Sequence, residues 1–390
     1  MKKLVSITEA VAITKNRVKP FIGEKRYLAT GDLIGDEIDD PTLVDYKTKP
    51  SRADLLVHEG EIILARMQAT NKVFLIDKTN KDLIISTGFL TLMPQKGFDA
   101  DYLFYYFRSD IFQRQKDRYC SGATQKAINN GAFKKLLIPH YSLEEQKKIA
   151  RILNHADSIH RKRKKSTSLL NELLDVTFLD MCGDPINNNK KWEKVELDSI
   201  SEIQGGVQVT AKRKPNPIEV PYLRVANVYR DKLALDEIKT IRVTSSELVR
   251  TTLKKGDILI VEGHGNQEEI GRTAVWNGSI NPCVHQNHLI RIRVDTRRTN
   301  PLYISSFLNS AGGKSQLFKM RKTTSGLNTI SSSNVKSLNI ILPPLDIQKK
   351  YVTTLIQIEK IKLKIDQSKV QMKNQLNALM QKAFGEQKSV

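Results

Sequence analysis

The stretch ILPPLDIQKKYVTTL, Ile341 to Leu355, has a looser copy earlier in the chain, IPHYSLEEQKKIARIL, Ile138 to Leu153. With Ile128 laid on Ile330, the two hold a constant offset of 202 positions. Lys134 then meets Lys336, Leu136 meets Leu338, Ile138 meets Ile340 and Leu143 meets Leu345. Gln146-Lys147-Lys148 falls on Gln348-Lys349-Lys350, and Leu153, Ile159, Lys162 and Ser166 also find identical partners without a gap. Unrelated helices matched by chance would not keep one register across a strand, a turn and a helix. The chain contains its own half twice.

Working outward, LNELLDVTF (Leu170–Phe178) fits LNALMQKAF (Leu376–Phe384) at an offset of 206. A slip of four residues is close to one helical turn, so the same face stays inward. Upstream, EGEIIL from Glu59 resembles KGDILI from Lys255, and RYLATGDL from Arg26 resembles PYLRVANV from Pro221. The repeat unit reads as a globular module followed by one long helix.

Both helical segments carry apolar residues at spacings of three and four. The first offers Leu143, Ile149, Leu153, Ala156, Ile159, Leu169, Leu173 and Val176; the second offers Leu355, Ile358, Ile361, Ile365, Met372, Leu376, Leu379 and Ala383. Neither contains an internal Pro or Gly. Ser142 with Glu145 resembles a capping box, Pro343-Pro344 forces an extended lead-in, and Gly183 and Gly385 suit left-handed caps. A helix from Leu143 to Met181 would run roughly 58 Å. Two such stripes predict an antiparallel coiled coil with a module at each end. The expected division is a first module at 1–141, a long helix at 142–184, a second module at 185–341 and a second long helix at 342–390. The fold class is α/β. EIILARM, KVFLIDK, DLIISTGFLTLM, DILIVEG and HLIRIRV read as strands, and ADYLFYYFRSDIFQRQ and NPLYISSFLNS as short helices.

At 390 residues with a formal charge of +21, the chain favours a polyanionic partner, most simply nucleic acid. Three scattered cysteines, Cys120, Cys182 and Cys283, argue against a disulfide framework and for a reducing cytoplasm. No secretion signal and no unbroken apolar span for a membrane are read. Catalytic signatures are incomplete. GGKS at Gly312 lacks the first glycine of a phosphate loop, with Leu308 in its place, and GHG at Gly263 lacks the third glycine of a dinucleotide fingerprint. CVHQNH, Cys283 to His288, leads into an alternating strand without a second ligand pair, so a packed edge is the better reading than a metal cluster. The Asp-Pro-Pro-Tyr and Asn-Pro-Pro-Tyr/Phe tetrapeptides of base methylation do not occur. No cofactor is expected on this chain.

Two β-rich modules, two long helices and a basic bias resemble the specificity subunit of type I restriction–modification enzymes. The residues that carry the resemblance are LPPLDIQKK with QKAFGE, IPHYSLEEQKK with DMCGDP, and GATQKAI at Gly122. The first copy departs from the pattern with Tyr141-Ser142 in place of prolines, and GLNTIS at Gly326 lacks the glutamine found as Gln125. The resemblance implies a non-catalytic subunit whose modules each read half of a bipartite double-stranded DNA target. It also implies helices that dock two modification subunits, which bring S-adenosylmethionine and methylate adenine at N6, and restriction subunits beyond them. Two rival readings stand beside it: a stand-alone nucleic-acid adaptor and a nuclease with an unrecognised site.

Candidates for DNA contact are long or amide side chains on loops, since phosphate contacts position and base edges specify. SGATQK supplies Thr124, Gln125 and Lys126; RKTTSG supplies Arg321, Lys322, Thr323 and Thr324. GGVQVTAKRK adds Gln208, Lys212, Arg213 and Lys214; GHGNQ adds His264, Asn266 and Gln267; ARMQATNK adds Arg66, Gln68 and Lys72. HRKRKK, His160 to Lys165, reads as an exposed helix face, or as a contact for the DNA spacer or an acidic partner.

Overall fold

The computed structural model describes residues 3–35, 37–324 and 327–385, with only the backbone of Thr324. Two helices of 40 residues, Leu143–Cys182 and Leu345–Phe384, follow the two modules. The first starts at the expected capping box. The Ser142 amide donates to Glu145 Oε2 at 3.1 Å, and the Glu145 amide donates to Ser142 Oγ at 3.3 Å. It ends at Gly183, whose φ of +87° is a left-handed cap that a Cβ would strain.

The chain divides into two compact units, Met1–Ser166 with Ile365–Val390, and Thr167–Lys364. In the first unit Lys3–Ser6 pairs antiparallel with Leu137–His140. A four-stranded sheet runs in the order Val11–Thr14, Phe89–Pro94, Ile62–Ala65, Val73–Leu75. A second sheet is ordered Thr42–Val44, Lys25–Leu28, Ile84–Ser86, Ala53–Leu56, with Lys25–Leu28 parallel to Ile84–Ser86. The second unit repeats this plan. Glu193–Glu196 pairs with Asn339–Leu342, and its main sheet is ordered Ser201–Gly205, Leu289–Val294, Ile258–Val261, Thr273–Val275. Its second sheet is Lys239–Val243, Ile218–Leu223, Val284–His285, the last two parallel.

The unbroken apolar runs in EIILARM and DILIVEG have a physical reason. Successive strand side chains point to opposite faces, and both faces are covered. Ile62 and Leu64 enter the core shared with the helices, while Ile63 and Ala65 enter the core of the second sheet. Ile258 and Ile260, against Leu259 and Val261, divide the same way in the second unit.

In the first unit, helices Ala100–Arg108 and Asp110–Arg118 pack between the main sheet and the long helices. The core there includes Ala150 and Leu153, near the start of one long helix, and Leu376, Met380 and Phe384, near the end of the other. The two are therefore antiparallel within this unit. The Phe384 ring meets Tyr102 edge-on at 5.5 Å, and the Tyr102 hydroxyl donates to the Pro139 carbonyl at 2.6 Å. In the second unit Phe178 takes that place, 5.3 Å from Tyr351, and the Tyr303 hydroxyl donates to the Ile341 carbonyl at 2.5 Å.

One sequence expectation is revised. The periodicity places Leu169, Leu173, Val176 and Ile361 on the apolar stripes, yet they are 52, 48, 61 and 48 % exposed. Periodicity identifies an amphipathic helix but not what covers its apolar face. The cores reach the helices near their ends and leave these positions open. Among the described residues no helix is long and apolar enough to cross a membrane.

Candidate nucleic-acid interface

The central strand of the first unit, Ile62–Ala65, runs out into a loop whose main chain is fastened at every step. The Arg66 amide donates to the Gly88 carbonyl and the Gln68 amide to the Lys126 carbonyl, both at 2.9 Å. In return the Ile128 amide donates to the Arg66 carbonyl at 2.9 Å. Met67 bridges Ala127, which also bridges Ser121 and closes the turn 121–127. Gly122 makes that turn possible: its φ is +138°, and a Cβ would lie 2.5 Å from the Gln125 carbonyl oxygen. Two candidate loops far apart in sequence thus form one platform. Gln68, Thr124, Gln125 and Lys126 are exposed on it.

The second unit builds the same ladder. The Ile330 amide donates to the Glu262 carbonyl at 2.8 Å, Gly263 pairs with Thr329, and His264 pairs with Asn328. Position for position, Glu262 answers to Arg66 and His264 to Gln68, while Asn328 answers to Lys126 and Ile330 to Ile128. Lys322–Thr324 pairs antiparallel with Leu327–Thr329. This brings GHGNQ and RKTTSG together. Arg321 Nη2 donates to Gln267 Oε1 at 3.4 Å, and its guanidinium lies over the Phe318 ring. Lys322, Thr323, Asn266 and Gln267 are exposed, and His264 is half-buried. The side chain of Thr324 lies outside the described residues, as does Gly326.

Three candidate cations donate to acceptors within the protein. Arg66 donates to the carbonyls of Phe89 and Ile128 and to Asn130 Oδ1, at 3.0, 3.3 and 2.8 Å. Lys72 Nζ donates to the carbonyls of Thr30 and Gly31 at 2.6 and 3.2 Å. Arg213 forms a two-pronged pair with Glu247, both bonds at 2.9 Å, which holds that carboxyl at about 2. Gln208, Lys212 and Lys214 are exposed around Arg213. Their loop is fastened to helix Ser245–Thr251 through Glu247, at the end of the second sheet. In HRKRKK, Arg161 pairs with Asp157 at 2.6 Å and Lys164 with Glu37, while Lys162 and Lys165 are exposed.

Asn328 was absent from the candidates. It is buried, with Oδ1 accepting from Thr323 Oγ1 at 2.9 Å and Nδ2 reaching the Gly265 carbonyl at 3.3 Å. Extending the offset of 202 from Lys126 points to it. CVHQNH resolves into core and surface. Cys283 and His285 are buried, with His285 between the Thr251 and Gln204 carbonyls, and His288 faces Glu262 at 3.2 Å.

The same frame built twice coincides with a family match in two parts. The model of the type I restriction modification DNA specificity domain covers residues 5–169 and 189–377. The chain belongs to this family. Among specificity subunits, that of the EcoKI type I restriction enzyme of Escherichia coli (strain K12) is 26% identical over 321 residues. The alignment spans 75% of this chain and 66% of that one, just short of two thirds of the relative's length. The S subunit from M. genitalium shares the fold with a TM-score of 0.57 at 13% identity, over 99% of this chain and 96% of that one. A chain solved in work on complex assembly and conformational transition of the type I R-M system has a TM-score of 0.58 at 20% identity, covering 98% and 97%.

Proposed function

We propose that the chain is the non-catalytic, DNA-reading subunit of a cytoplasmic type I restriction–modification enzyme. Each unit reads one half of a split double-stranded target. The observation that carries this reading is the duplicated ladder: one hydrogen-bonded frame, built twice, carries exposed Gln68 and Lys126 in one copy and half-buried His264 in the other, where the buried Asn328 braces the loop. A conserved frame with different side chains is what two different half-sites require. Around it, Thr124, Gln125, Asn266, Gln267, Arg321, Lys322 and Thr323 supply amides, hydroxyls and cations suited to base edges and phosphates. Gln208, Lys212 and Lys214 extend the contact in the second unit. Arg66, Lys72 and Arg213 serve the fold instead, since each is held by several acceptors within the protein.

Adenine N6 methylation then belongs to two modification subunits, and cleavage to restriction subunits that join them. The helix face with exposed Leu169, Leu173, Val176 and Leu179 gives a modification subunit an apolar surface to cover. Mapping methylated adenine in the host genome tests the whole reading. A split motif with a fixed gap, lost when this chain is deleted, is expected. A genome without such a motif, together with a purified chain that binds DNA without sequence preference, would leave the stand-alone adaptor instead.

A further inference from the structure

Lys116 is a charged side chain with no exposed surface, and it lies under the loop that carries Gln68. Its Nζ donates to the Met67 carbonyl at 3.0 Å and to the Thr70 carbonyl at 2.8 Å. The next residue, Asp117, accepts the Ala69 amide at 3.1 and 3.2 Å, and its Oδ1 lies 3.7 Å from Lys116 Nζ. Two adjacent side chains of one helix therefore grip residues 67–70. Ala69 needs the grip: its φ is +55°, a left-handed conformation that a non-glycine residue keeps only when its surroundings impose it.

A buried ammonium is costly unless its donors are satisfied, so packing alone does not call for lysine here. The second unit shows the alternative. Ser109 and Ser310 cap equivalent helices, and Gln115 and Gln316 accept equivalent amides, from Leu137 at 2.6 Å and Asn339 at 2.9 Å. This register sets Lys116 against Leu317, a buried leucine in the core. There the loop is held from the paired strand, by Asn328 Nδ2 on the His264 and Gly265 carbonyls at 3.5 and 3.3 Å.

We propose that Lys116 is a positioning residue for sequence reading by the first unit alone. Resting on the DNA-reading function proposed above, it fixes the main chain of 67–70 so that Gln68 meets a base edge in one orientation. Asp117 completes the grip. A carboxamide discriminates adenine through two hydrogen bonds of fixed geometry, worth roughly 10- to 100-fold against a wrong base. Phosphate attraction is long-ranged and tolerates a loose loop. Freeing the loop therefore costs discrimination before it costs affinity.

The test uses the full chain in its host, with adenine methylation mapped genome-wide for wild type, Lys116→Met, Asp117→Ala and Leu83→Ala. Lys116→Met keeps length and apolar bulk but removes the donors. Leu83→Ala opens a cavity in the second-sheet core, which contains none of residues 67–70, and controls for lost stability. In Lys116→Met, one half-site is expected to become degenerate at one position, with discrimination there falling roughly 10- to 100-fold and the other half-site unchanged. Asp117→Ala should relax the same position less. Leu83→Ala should lower methylation evenly and leave the motif intact. An unchanged motif in Lys116→Met with evenly reduced methylation overturns the proposal, as does degeneracy in both half-sites. If Lys116→Met abolishes methylation by unfolding, Asp117→Ala decides: an unchanged motif there overturns it. A wild-type genome without a split motif refutes the DNA-reading function itself, a result separable from any behaviour of the variants.

Discussion

The Gln146 carboxamide accepts the amide hydrogen of Asp99 at 2.9 Å and so ties the first turn of one helix to the N-terminal cap of another. Its Nε2 donates to the carbonyls of Gly97 and Tyr141 at 3.0 and 2.9 Å. Gln348 repeats the arrangement with the Asn300 amide at 2.9 Å, the Thr299 hydroxyl at 2.9 Å and the Pro343 carbonyl at 2.8 Å. Both glutamines are fully buried, which accounts for their place in the repeated Gln-Lys-Lys.

Replacing Gln348 with leucine keeps the bulk and orphans the Asn300 amide, the buried Thr299 hydroxyl and the Pro343 carbonyl. The second unit should lose roughly 1–3 kcal/mol for each group left unpaired. Both tryptophans, Trp192 and Trp276, belong to that unit, so their fluorescence during denaturant unfolding reports it alone. Gln348→Leu should lower the fluorescence midpoint, and Gln146→Leu should leave it in place. Equal shifts in both variants would contradict the separate packing of the two units.

The same fluorescence reads a pH effect at His285. Burial lowers its pKa from the ordinary 6.5 to about 4, against the opposing pull of the Gln204 and Thr251 carbonyls. Between those values the unfolded chain takes up a proton that the folded one refuses. Stability at this residue is therefore complete above pH 6.5 and declines as pH falls toward 4, by roughly 1–3 kcal/mol in total. His285→Gln cannot titrate, so its stability should fall less over this window than that of the wild type. Parallel curves would refute the assignment.

A charge of +21 predicts that affinity is largely electrostatic. If roughly 6–10 phosphates are contacted, affinity should drop about 10³- to 10⁵-fold between 50 and 200 mM salt. Fluorescence anisotropy of the assembled complex on its target measures this directly. A nearly flat dependence would mean that the basic excess is not directed at DNA.

Exchanging residues 1–141 for the matching module of a family relative should change one half-site of the methylated motif and preserve the other. The ladder 66–68 with 126–128 lies wholly inside that segment, and the ladder 262–264 with 328–330 wholly outside it. Simultaneous change in both half-sites would show that the two platforms do not read separately.

The duplicated frame was readable in the sequence because it rests on local signals. Capping residues at Ser142 and Glu145, the glycine at 183 and the apolar runs of the central strands each specify their own neighbourhood. Loop residues were harder, since the fate of a cation depends on carbonyls elsewhere. Lys72 looks like Lys126 in sequence, but its ammonium is bound by Thr30 and Gly31, some forty positions upstream. Lys116 directly follows ADYLFYYFRSDIFQRQ, which reads as a short helix, and its burial follows from packing that periodicity alone does not reveal. The half-exposed Leu169 and Val176 mark the converse case.

The first unit is assembled from two distant stretches of chain, and this shapes how it is made. Tyr102 and Tyr106 meet Phe384 edge-on, and Leu376 and Met380 line the same core. During synthesis nearly three hundred further residues must leave the ribosome before that surface can be covered. The second unit is continuous and can close first. The N-terminal module must therefore wait with aromatic side chains uncovered, a non-local closure that folds slowly and invites chaperones to hold it.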